Sequence, residues 1–159
     1  LLLEYLRNAE KELAGKKVRI RVIGEKKHLP EEIIKEIKRV EKNTESIEGL
    51  DFIIALNYGG RQEIVEAVSR LVEDVKAGLV SEIDEKTISE RLYTKGIPDP
   101  DLLIRTSGEM RISNFLIWQS SYSEFYFCDV LWPDFSVANL KDAIISYQGR
   151  QRRFGGVKC

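Results

Sequence analysis

The sequence has few of the residues that mark the common kinds of metal or redox site. It contains one histidine, His28, and two widely separated cysteines, Cys128 and Cys159, which excludes a zinc-finger spacing and a disulfide framework. No apolar run reaches the roughly 18 residues that a membrane-spanning helix needs. A formal net charge of -1 excludes the broad positive field of a typical nucleic-acid-binding domain. We therefore expect any anion site to be a local cluster of arginines.

What the sequence does contain is a regular alternation of helix and strand patterns. Its 159 residues, of which 43% are hydrophobic and 32% charged, suit one globular domain over 1–159. Leucines at helical spacing predict a helix over 2–13, and KVRIRVI at 17–23 alternates as a strand does. The runs DFIIAL at 51–56 and DLLI at 101–104 are continuous and apolar, which predicts strands buried on both faces.

The remaining patterns complete the alternation. One helix is predicted after Pro30, and another after Gly60 with its apolar residues, Ile64 to Val75, facing inward. Further helices are predicted over 84–93, 113–121 and 137–153, and an aromatic-rich strand over 123–131. Together these patterns indicate an α/β fold with a mainly parallel sheet flanked by helices. Open sheets of this kind bind ligands at the carboxyl ends of their strands.

The stretch RTSGEMRISN at 105–114 directly follows a predicted strand and is rich in groups that bind phosphate. Arginine offers a rigid fork of donors that matches phosphate oxygens, and hydroxyls and the free backbone N–H groups of a helix start add further donors. Arg105, Arg111 and Ser113 can together hold a diphosphate. The composition is equally compatible with a salt-bridged loop in which Glu109 neutralises one arginine.

Three other places carry charge or glycine. Glu124, at the start of the aromatic-rich strand, needs a partner for its charge, either a divalent cation or an arginine. NYGGR at 57–61 is neither a P-loop nor a GxGxxG fingerprint, and it predicts a tight strand-to-helix turn. Arg150, Arg152 and Arg153 crowd the carboxyl end of the last predicted helix, where they either complement the helix dipole or form an anion clamp that reaches a neighbouring subunit.

Four motifs in register give the sequence a family resemblance. They are NYGGR at 57–61, RTSGEMRISNFLIWQ at 105–119, SEFYFCDVLWPDF at 123–135 and RRFGG at 152–156. Together they resemble the carboxy-terminal two-thirds of cis-prenyltransferases of the undecaprenyl diphosphate synthase type. The resemblance implies a transferase that condenses isopentenyl diphosphate with an allylic diphosphate, farnesyl or geranylgeranyl diphosphate, to give a long-chain polyprenyl diphosphate.

The resemblance also implies roles for single residues. By this resemblance, the residues that bind substrate diphosphate are Arg105, Arg111, Ser113, Arg153 and Gly155. The first three match residues that grip isopentenyl diphosphate, and the last two match an RxG element that completes the site of the partner subunit, which implies a homodimer. Glu124 matches a carboxylate linked to Mg²⁺, the expected cofactor.

Two motifs of the family do not occur in the sequence. One is a DGNxR-type motif, whose aspartate helps to position magnesium and the allylic diphosphate, and the other is a stretch of the SxENW type. We therefore expect an incomplete, N-terminally truncated fold without its first central strand, in which no catalytic residue is assigned. The isopentenyl diphosphate half of the site is expected to be present. Met110 stands where many relatives have a histidine or another polar residue, which weakens any histidine-based role in this loop.

The resemblance further implies a cytoplasmic protein with peripheral contact to a membrane, because the product is a membrane lipid, and no nucleic-acid partner. Two other functions stay open, namely a non-catalytic subunit of a heteromeric cis-prenyltransferase and an anion-binding α/β module without chemistry. Retention of Arg105, Arg111, Ser113 and Glu124 favours a catalytic chain over the first. The four motifs in register argue against the second.

Overall fold

The computed structural model of the chain describes residues 2–13 and 15–150. Contacts divide the chain into two compact units, an amino-terminal unit, Leu1–Lys95, and a carboxy-terminal unit, Gly96–Cys159. The interpretation of 1–159 as a single domain stays a prediction. Within the described residues, no helix is both long enough and apolar enough to cross a membrane.

The amino-terminal unit is built on two parallel strands. Its elements are α1 (Leu2–Leu13), β1 (Val18–Ile23), α2 (Glu31–Thr44), β2 (Leu50–Ala55), α3 (Gly60–Lys76) and the short α4 (Glu85–Ser89). The two strands pair in register from Val18 opposite Leu50 to Ile23 opposite Ala55. Parallel strands need a crossover connection, and α2 supplies it.

The core of this unit lies where α1 and α2 cover the strands. Leu6, Val22 and Ile37 form a buried cluster, against which Ile33 and Ile54 pack. Burying aliphatic side chains of this size stabilises a fold by roughly 1.5–3 kcal/mol each. The helical spacing of leucines in α1 and of isoleucines in α2 follows from this packing.

Side chains of α2 cover the edge of β1 that faces away from β2. The Ile20 amide donates to Thr44 Oγ1 at 3.0 Å, and the Val22 amide donates to Glu41 Oε1 at 2.8 Å. Thr44 Oγ1 in turn donates to the carbonyl of Val40 at 2.9 Å. The Ile20 and Val22 amides on this edge are therefore satisfied without a further strand.

The carboxy-terminal unit has shorter elements. They are β3 (Leu102–Arg105), β4 (Glu124–Phe127), a 3-10 turn (Trp132–Asp134) and α5 (Val137–Gln148). The strands pair in parallel, with Leu102 opposite Glu124 and Arg105 opposite Phe127. A capping box starts α5, because the Ser136 side chain accepts from the Asn139 amide while the Asn139 side chain accepts from the Ser136 amide.

The α/β class with parallel strands and flanking helices is confirmed, although each sheet has two strands within the described residues. The prediction that β2 is buried on both faces is wrong, because Leu50 is 66% and Phe52 42% exposed. The prediction for α3 is also wrong in part, since Val65, Val68 and Val72 are exposed. Leu71 is buried as predicted, and the other buried residues of α3 are Gly60, Glu63 and Ala67. Apolar residues surround this helix, so spacing alone did not identify its buried side.

The helix predicted over 113–121 does not form, and turns occupy this stretch. Ser113, Asn114 and Leu116 have φ angles of +46°, +66° and +46°, in the left-handed region that a right-handed helix excludes. The elements predicted over 84–93 and 123–131 are shorter than expected, as α4 and β4 show. The last helix ends at Gln148, and residues 151–153 of its predicted extent lie outside the described residues.

Candidate functional site

The stretch 105–114 begins at the carboxyl end of β3, as the sequence predicts. The carbonyl of Arg105 accepts a hydrogen bond from the Cys128 amide at 3.0 Å. Beyond the strand, the Ser107 amide donates to the carbonyl of Val130 at 2.9 Å, and the Gly108 amide donates to that of Cys128 at 3.0 Å. The base of the loop is thus held by backbone hydrogen bonds, which fix the position from which Arg105 projects.

Left-handed backbone is concentrated in and just after this loop. Ser107, Ser113, Asn114 and Leu116 are non-glycine residues with positive φ, and each such residue costs about 1 kcal/mol relative to ordinary backbone. Gly108 also has a φ of +69°, and an added Cβ would approach Asp129 Oδ1 at 3.2 Å. Strained backbone of this kind persists where surrounding contacts hold it, and it is common at ligand-binding loops.

Side chains, rather than a helix start, supply the donors of this loop. No helix begins at Ser113, so the predicted contribution of helix-start N–H groups is wrong. Ser113 itself is exposed, and Arg105 is half-buried without an ion-pair partner among the described residues. Arg111 is exposed and forms an ion pair with Glu109. The salt-bridged loop that the sequence left open is therefore present, and an anion would compete with Glu109 for Arg111.

Glu124, the predicted metal residue, is paired with an arginine. Arg150 Nη1 donates to Glu124 Oε2 at 2.7 Å, and Arg150 Nη2 donates to the carbonyl of Phe125 at 2.8 Å. Of the two partners that the sequence allows, a cation and an arginine, the structure shows the arginine. Glu124 starts β4 opposite Leu102, so it lies about 10 Å along the strands from Arg105. The two predicted site residues thus occupy opposite ends of this sheet.

The described residues contain no group of three or more histidine, cysteine, aspartate or glutamate side chains that could hold a metal ion. Glu124 supplies one carboxylate, whose Oε1 has no hydrogen-bond partner in the described part of the chain. Magnesium is usually bound by one or two carboxylates together with substrate phosphates. This donor set fits a magnesium ion shared with a phosphate, and it does not fit a cation held by the protein alone.

Arg153 and Gly155 lie outside the described residues. Their role in the site of a partner subunit stays a prediction, as do the substrate-binding roles of Arg105, Arg111 and Ser113.

No sequence pattern predicted that the Glu63 carboxylate would be buried, yet Glu63 is 1% exposed. The Tyr58 hydroxyl donates to its Oε2 at 2.5 Å, and the Tyr93 amide donates to its Oε1 at 2.7 Å. These bonds tie the turn after β2 to the segment after α4. Its place in the sequence could have indicated this burial, because Glu63 lies on the same side of α3 as the buried Ala67 and Leu71.

The NYGGR stretch forms the strand-to-helix turn that was predicted, at the carboxyl ends of β1 and β2. Asn57 has a φ of +48°, and its Nδ2 donates to the carbonyl and to Oε2 of Glu25, both at 3.1 Å. A hydrogen bond from His28 is the main cause that lowers the pKa of Glu25. An open cavity of about 530 Å³ lies beside the turn. Its lining residues are Glu25, His28, Asn57, Tyr58, Gly59 and Gln62.

The geometry defines a class of protein, an α/β protein with parallel strands and an arginine-containing loop after one of them. Residues 1–155 match the family model described as "Putative undecaprenyl diphosphate synthase". The chain belongs to this family, the cis-prenyltransferases of the undecaprenyl diphosphate synthase type, as its four motifs predict.

Similar proteins include the isoprenyl transferase of Clostridium perfringens, which is 48% identical over 160 residues, and that of Thermotoga maritima, 50% identical over 145 residues. The alignments cover 99% and 91% of this chain, and 63% and 62% of those relatives. The chain therefore spans less than two thirds of the length of these relatives.

Two solved structures are similar to the chain. The lavandulyl diphosphate synthase of Lavandula x intermedia, in complex with dimethylallyl diphosphate, has a TM-score of 0.92 and 41% identity, covering 98% of this chain and 68% of that one. A probable undecaprenyl diphosphate synthase of Campylobacter jejuni has a TM-score of 0.85 and 32% identity, covering 96% and 70%. These similarities confirm the predicted fold class.

Proposed function

We propose that this chain is part of an isoprenyl transferase that lengthens an allylic diphosphate with isopentenyl diphosphate. The observation that carries the proposal is that residues 1–155 belong to the undecaprenyl diphosphate synthase family. Relatives that are 48% and 50% identical are named isoprenyl transferases. A similar structure holds dimethylallyl diphosphate, which is itself an allylic diphosphate. The proposed primer is farnesyl or geranylgeranyl diphosphate, and the product is a long-chain polyprenyl diphosphate.

In this proposal the loop at 105–114 holds the diphosphate of isopentenyl diphosphate. Arg105 has no ion pair among the described residues, so its guanidinium can bind a phosphate oxygen directly. Arg111 exchanges Glu109 for phosphate, because a diphosphate carries more charge than one carboxylate and accepts bidentate hydrogen bonds. Ser113 adds a hydroxyl donor from an exposed position. The chain's own contribution is to align the attacking substrate.

Magnesium, when bound, stabilises negative charge on phosphate oxygens. We assign Glu124 as its protein ligand, together with phosphate oxygens. Arg153 and Gly155 are proposed to complete the site of a second copy in a homodimer. A cytoplasmic location with peripheral membrane contact is proposed because the product is a lipid.

Calorimetric titration of the 159-residue chain with isopentenyl diphosphate tests the assignment of the loop. We expect Arg105→Ala and Arg111→Ala each to weaken binding about 10- to 100-fold, because a hydrogen bond to a charged group contributes about 1.5–3 kcal/mol. Lys141→Ala is the matched control, since it removes an exposed positive charge from α5 in the same unit. Unchanged binding in both arginine variants contradicts the assignment.

Incubation with radiolabelled isopentenyl diphosphate, farnesyl diphosphate and Mg²⁺, followed by extraction of polyprenyl product, tests the reaction itself. Binding without product is expected of a chain that carries the isopentenyl diphosphate half of the site. Product would mean that these residues suffice, and Glu124 is then the first carboxylate to replace. Co-purification with a second, different prenyltransferase chain would instead support the non-catalytic subunit. Failure to bind isopentenyl diphosphate even with the N-terminal part restored would support the anion-binding module.

A further inference from the structure

Met110 lies in the loop at 105–114, between Glu109 and Arg111, and its side chain is open to solvent. It is 78% exposed, more than any other large hydrophobic residue in the described part of the chain. Single exposed apolar residues are common on protein surfaces, so exposure by itself assigns no role to Met110. Its place among the proposed phosphate donors is what distinguishes it from the other exposed apolar residues.

The backbone before Met110 fixes the position of this part of the loop. The Ser107 and Gly108 amides bond carbonyls of residues that follow β4, at 2.9 and 3.0 Å, and both residues have a φ of +69°. The chain bends again at Arg111. Consecutive Cα atoms are about 3.8 Å apart, so Met110 and Ser113 stay close to Arg111 on one short arc of backbone.

The proposed donors of this loop suit only one part of isopentenyl diphosphate. Arg105, Arg111 and Ser113 offer N–H and O–H groups, which match the oxygens of the diphosphate. The rest of this substrate is a short branched hydrocarbon, and only an apolar side chain gains free energy by covering it. Met110 provides such a side chain directly before Arg111, and its unbranched thioether adapts to irregular apolar shapes.

We propose that Met110 contacts the hydrocarbon group of isopentenyl diphosphate and makes the loop prefer this substrate to bare pyrophosphate. The inference rests on the proposed function, because that proposal places isopentenyl diphosphate in the loop. It adds a specificity-determining residue to the site. The arginines bind the charged group that both ligands share, and Met110 binds the group that only the substrate has.

Calorimetric titration of the 159-residue chain with isopentenyl diphosphate and, separately, with inorganic pyrophosphate tests this preference without added metal. We expect Met110→Gln to weaken binding of isopentenyl diphosphate about three- to tenfold, because a polar side chain of similar length loses the gain from apolar contact. Binding of pyrophosphate should stay nearly as it is. Met110→Leu keeps an apolar side chain of similar volume and should retain most of the preference.

Leu79→Gln is the matched control, since Leu79 is 75% exposed and lies in the amino-terminal unit. It should change the binding of neither ligand. An unchanged affinity of Met110→Gln for isopentenyl diphosphate overturns the inference. Equal weakening for both ligands also overturns it, because Met110 would then act on the shape of the loop and not on the hydrocarbon.

The same titrations separate this inference from the proposed function. If the unsubstituted chain binds neither ligand, the assignment of the loop fails and the role of Met110 fails with it. If the chain binds isopentenyl diphosphate, and the ratio of its two affinities is the same in Met110→Gln, only the role of Met110 is rejected.

Discussion

Both units of the chain are built on a pair of parallel strands, but the residues that those strands carry differ between the units. In the amino-terminal unit, strands of six residues carry a cross-strand pair, in which Arg19 donates to Asp51 at 2.5 and 2.7 Å. In the carboxy-terminal unit, strands of four residues lead into a loop rich in left-handed residues. The first unit thus pairs Arg19 with Asp51 across its strands, whereas in the second Arg105 has no ion pair among the described residues and Ser113 is exposed. Short, rigid strands that present an irregular loop are the usual arrangement for binding.

The pKa values of the carboxyl groups also differ between the two units. Among the described residues, the carboxyls with a lowered pKa lie in the amino-terminal unit, and they are Glu25, Glu36, Asp51 and Asp84. Hydrogen bonds to the charged carboxylate are the main cause in each. In the carboxy-terminal unit, burial raises the pKa of Asp99. Among the described residues, the first unit therefore has the carboxylates whose ionisation supports folding.

The largest effect is expected where β1 and β2 meet at Gly24. This glycine has a φ of +114°, and an added Cβ would lie 2.0 Å from the carbonyl oxygen of Leu56. We expect Gly24→Ala to destabilise the chain by about 3–4 kcal/mol in urea unfolding. Gly78→Ala is the control, because Gly78 has a φ of +71° but nothing within 4 Å of the added Cβ. The control should cost about 1 kcal/mol, and equal losses would show that backbone strain alone matters.

The next effect tests whether the amino-terminal unit depends on its buried carboxylate. Glu63→Ala leaves the Tyr58 hydroxyl and the Tyr93 amide without their acceptor. We expect a loss of about 2–3 kcal/mol in the free energy of unfolding, since each buried donor without a partner costs about 1–3 kcal/mol. Glu73→Ala, on the exposed side of the same helix, should change stability by less than about 0.5 kcal/mol. A similar loss in both variants would refute the role of Glu63.

A smaller effect is expected in acid. The pKa of Asp51 is lowered chiefly by the hydrogen bonds from Arg19. Its contribution is complete above the pKa of an unfolded aspartate, about 3.9, and is lost as pH falls through the lower folded pKa. We expect stability to fall below about pH 4, and to fall less in Asp51→Asn than in the unsubstituted chain.

Hydrogen exchange measured by mass spectrometry at pH 3 and pH 5 locates this loss by unit, after correction for the intrinsic exchange rate. Tryptophan fluorescence reports the carboxy-terminal unit alone, because both tryptophans, Trp118 and Trp132, lie there. If exchange at pH 3 increases first in the carboxy-terminal unit, the expectation that the amino-terminal unit loses stability in acid is contradicted.

The smallest effect on stability is expected at Ser113, where one substitution relieves backbone strain and removes a proposed binding group. Ser113 has a φ of +46°, so Ser113→Gly should stabilise the chain by a few tenths of a kcal/mol, up to about 1 kcal/mol. The same change removes the proposed hydroxyl donor, and we expect weaker binding of isopentenyl diphosphate in calorimetry. Ser121→Gly is a control outside the loop, at a serine without positive φ. Tighter binding in Ser113→Gly would show that the hydroxyl has no such role.

Sequence patterns predicted the elements whose residues follow one period without interruption. α1, β1 and β3 appear within one or two residues of their predicted bounds, because local spacing reflects local burial. The helix at 113–121 failed because its left-handed residues, Ser113 and Asn114, take a conformation that local spacing does not report.

The charged residues of the site could be predicted from the sequence, but the contacts between them could not. The sequence identified the charged residues around 105–124, and it even allowed Glu109 to neutralise an arginine. It did not identify which arginine meets Glu124, because Arg150 is brought there by the packing of a whole helix. It also placed no carboxylate in the core, since the burial of Glu63 depends on Tyr58 and on the distant Tyr93.

The covered edge of β1 has a consequence for self-association. Thr44 and Glu41 occupy amide donors on the outer edge of β1, whereas no described strand pairs with the outer edge of β2. Leu50 and Phe52 lie on one face of β2 and are exposed, so apolar surface borders that open edge. A two-stranded sheet with one covered edge has one edge left that can pair with another copy. Among the described residues, edge-to-edge pairing through this sheet would therefore join two copies.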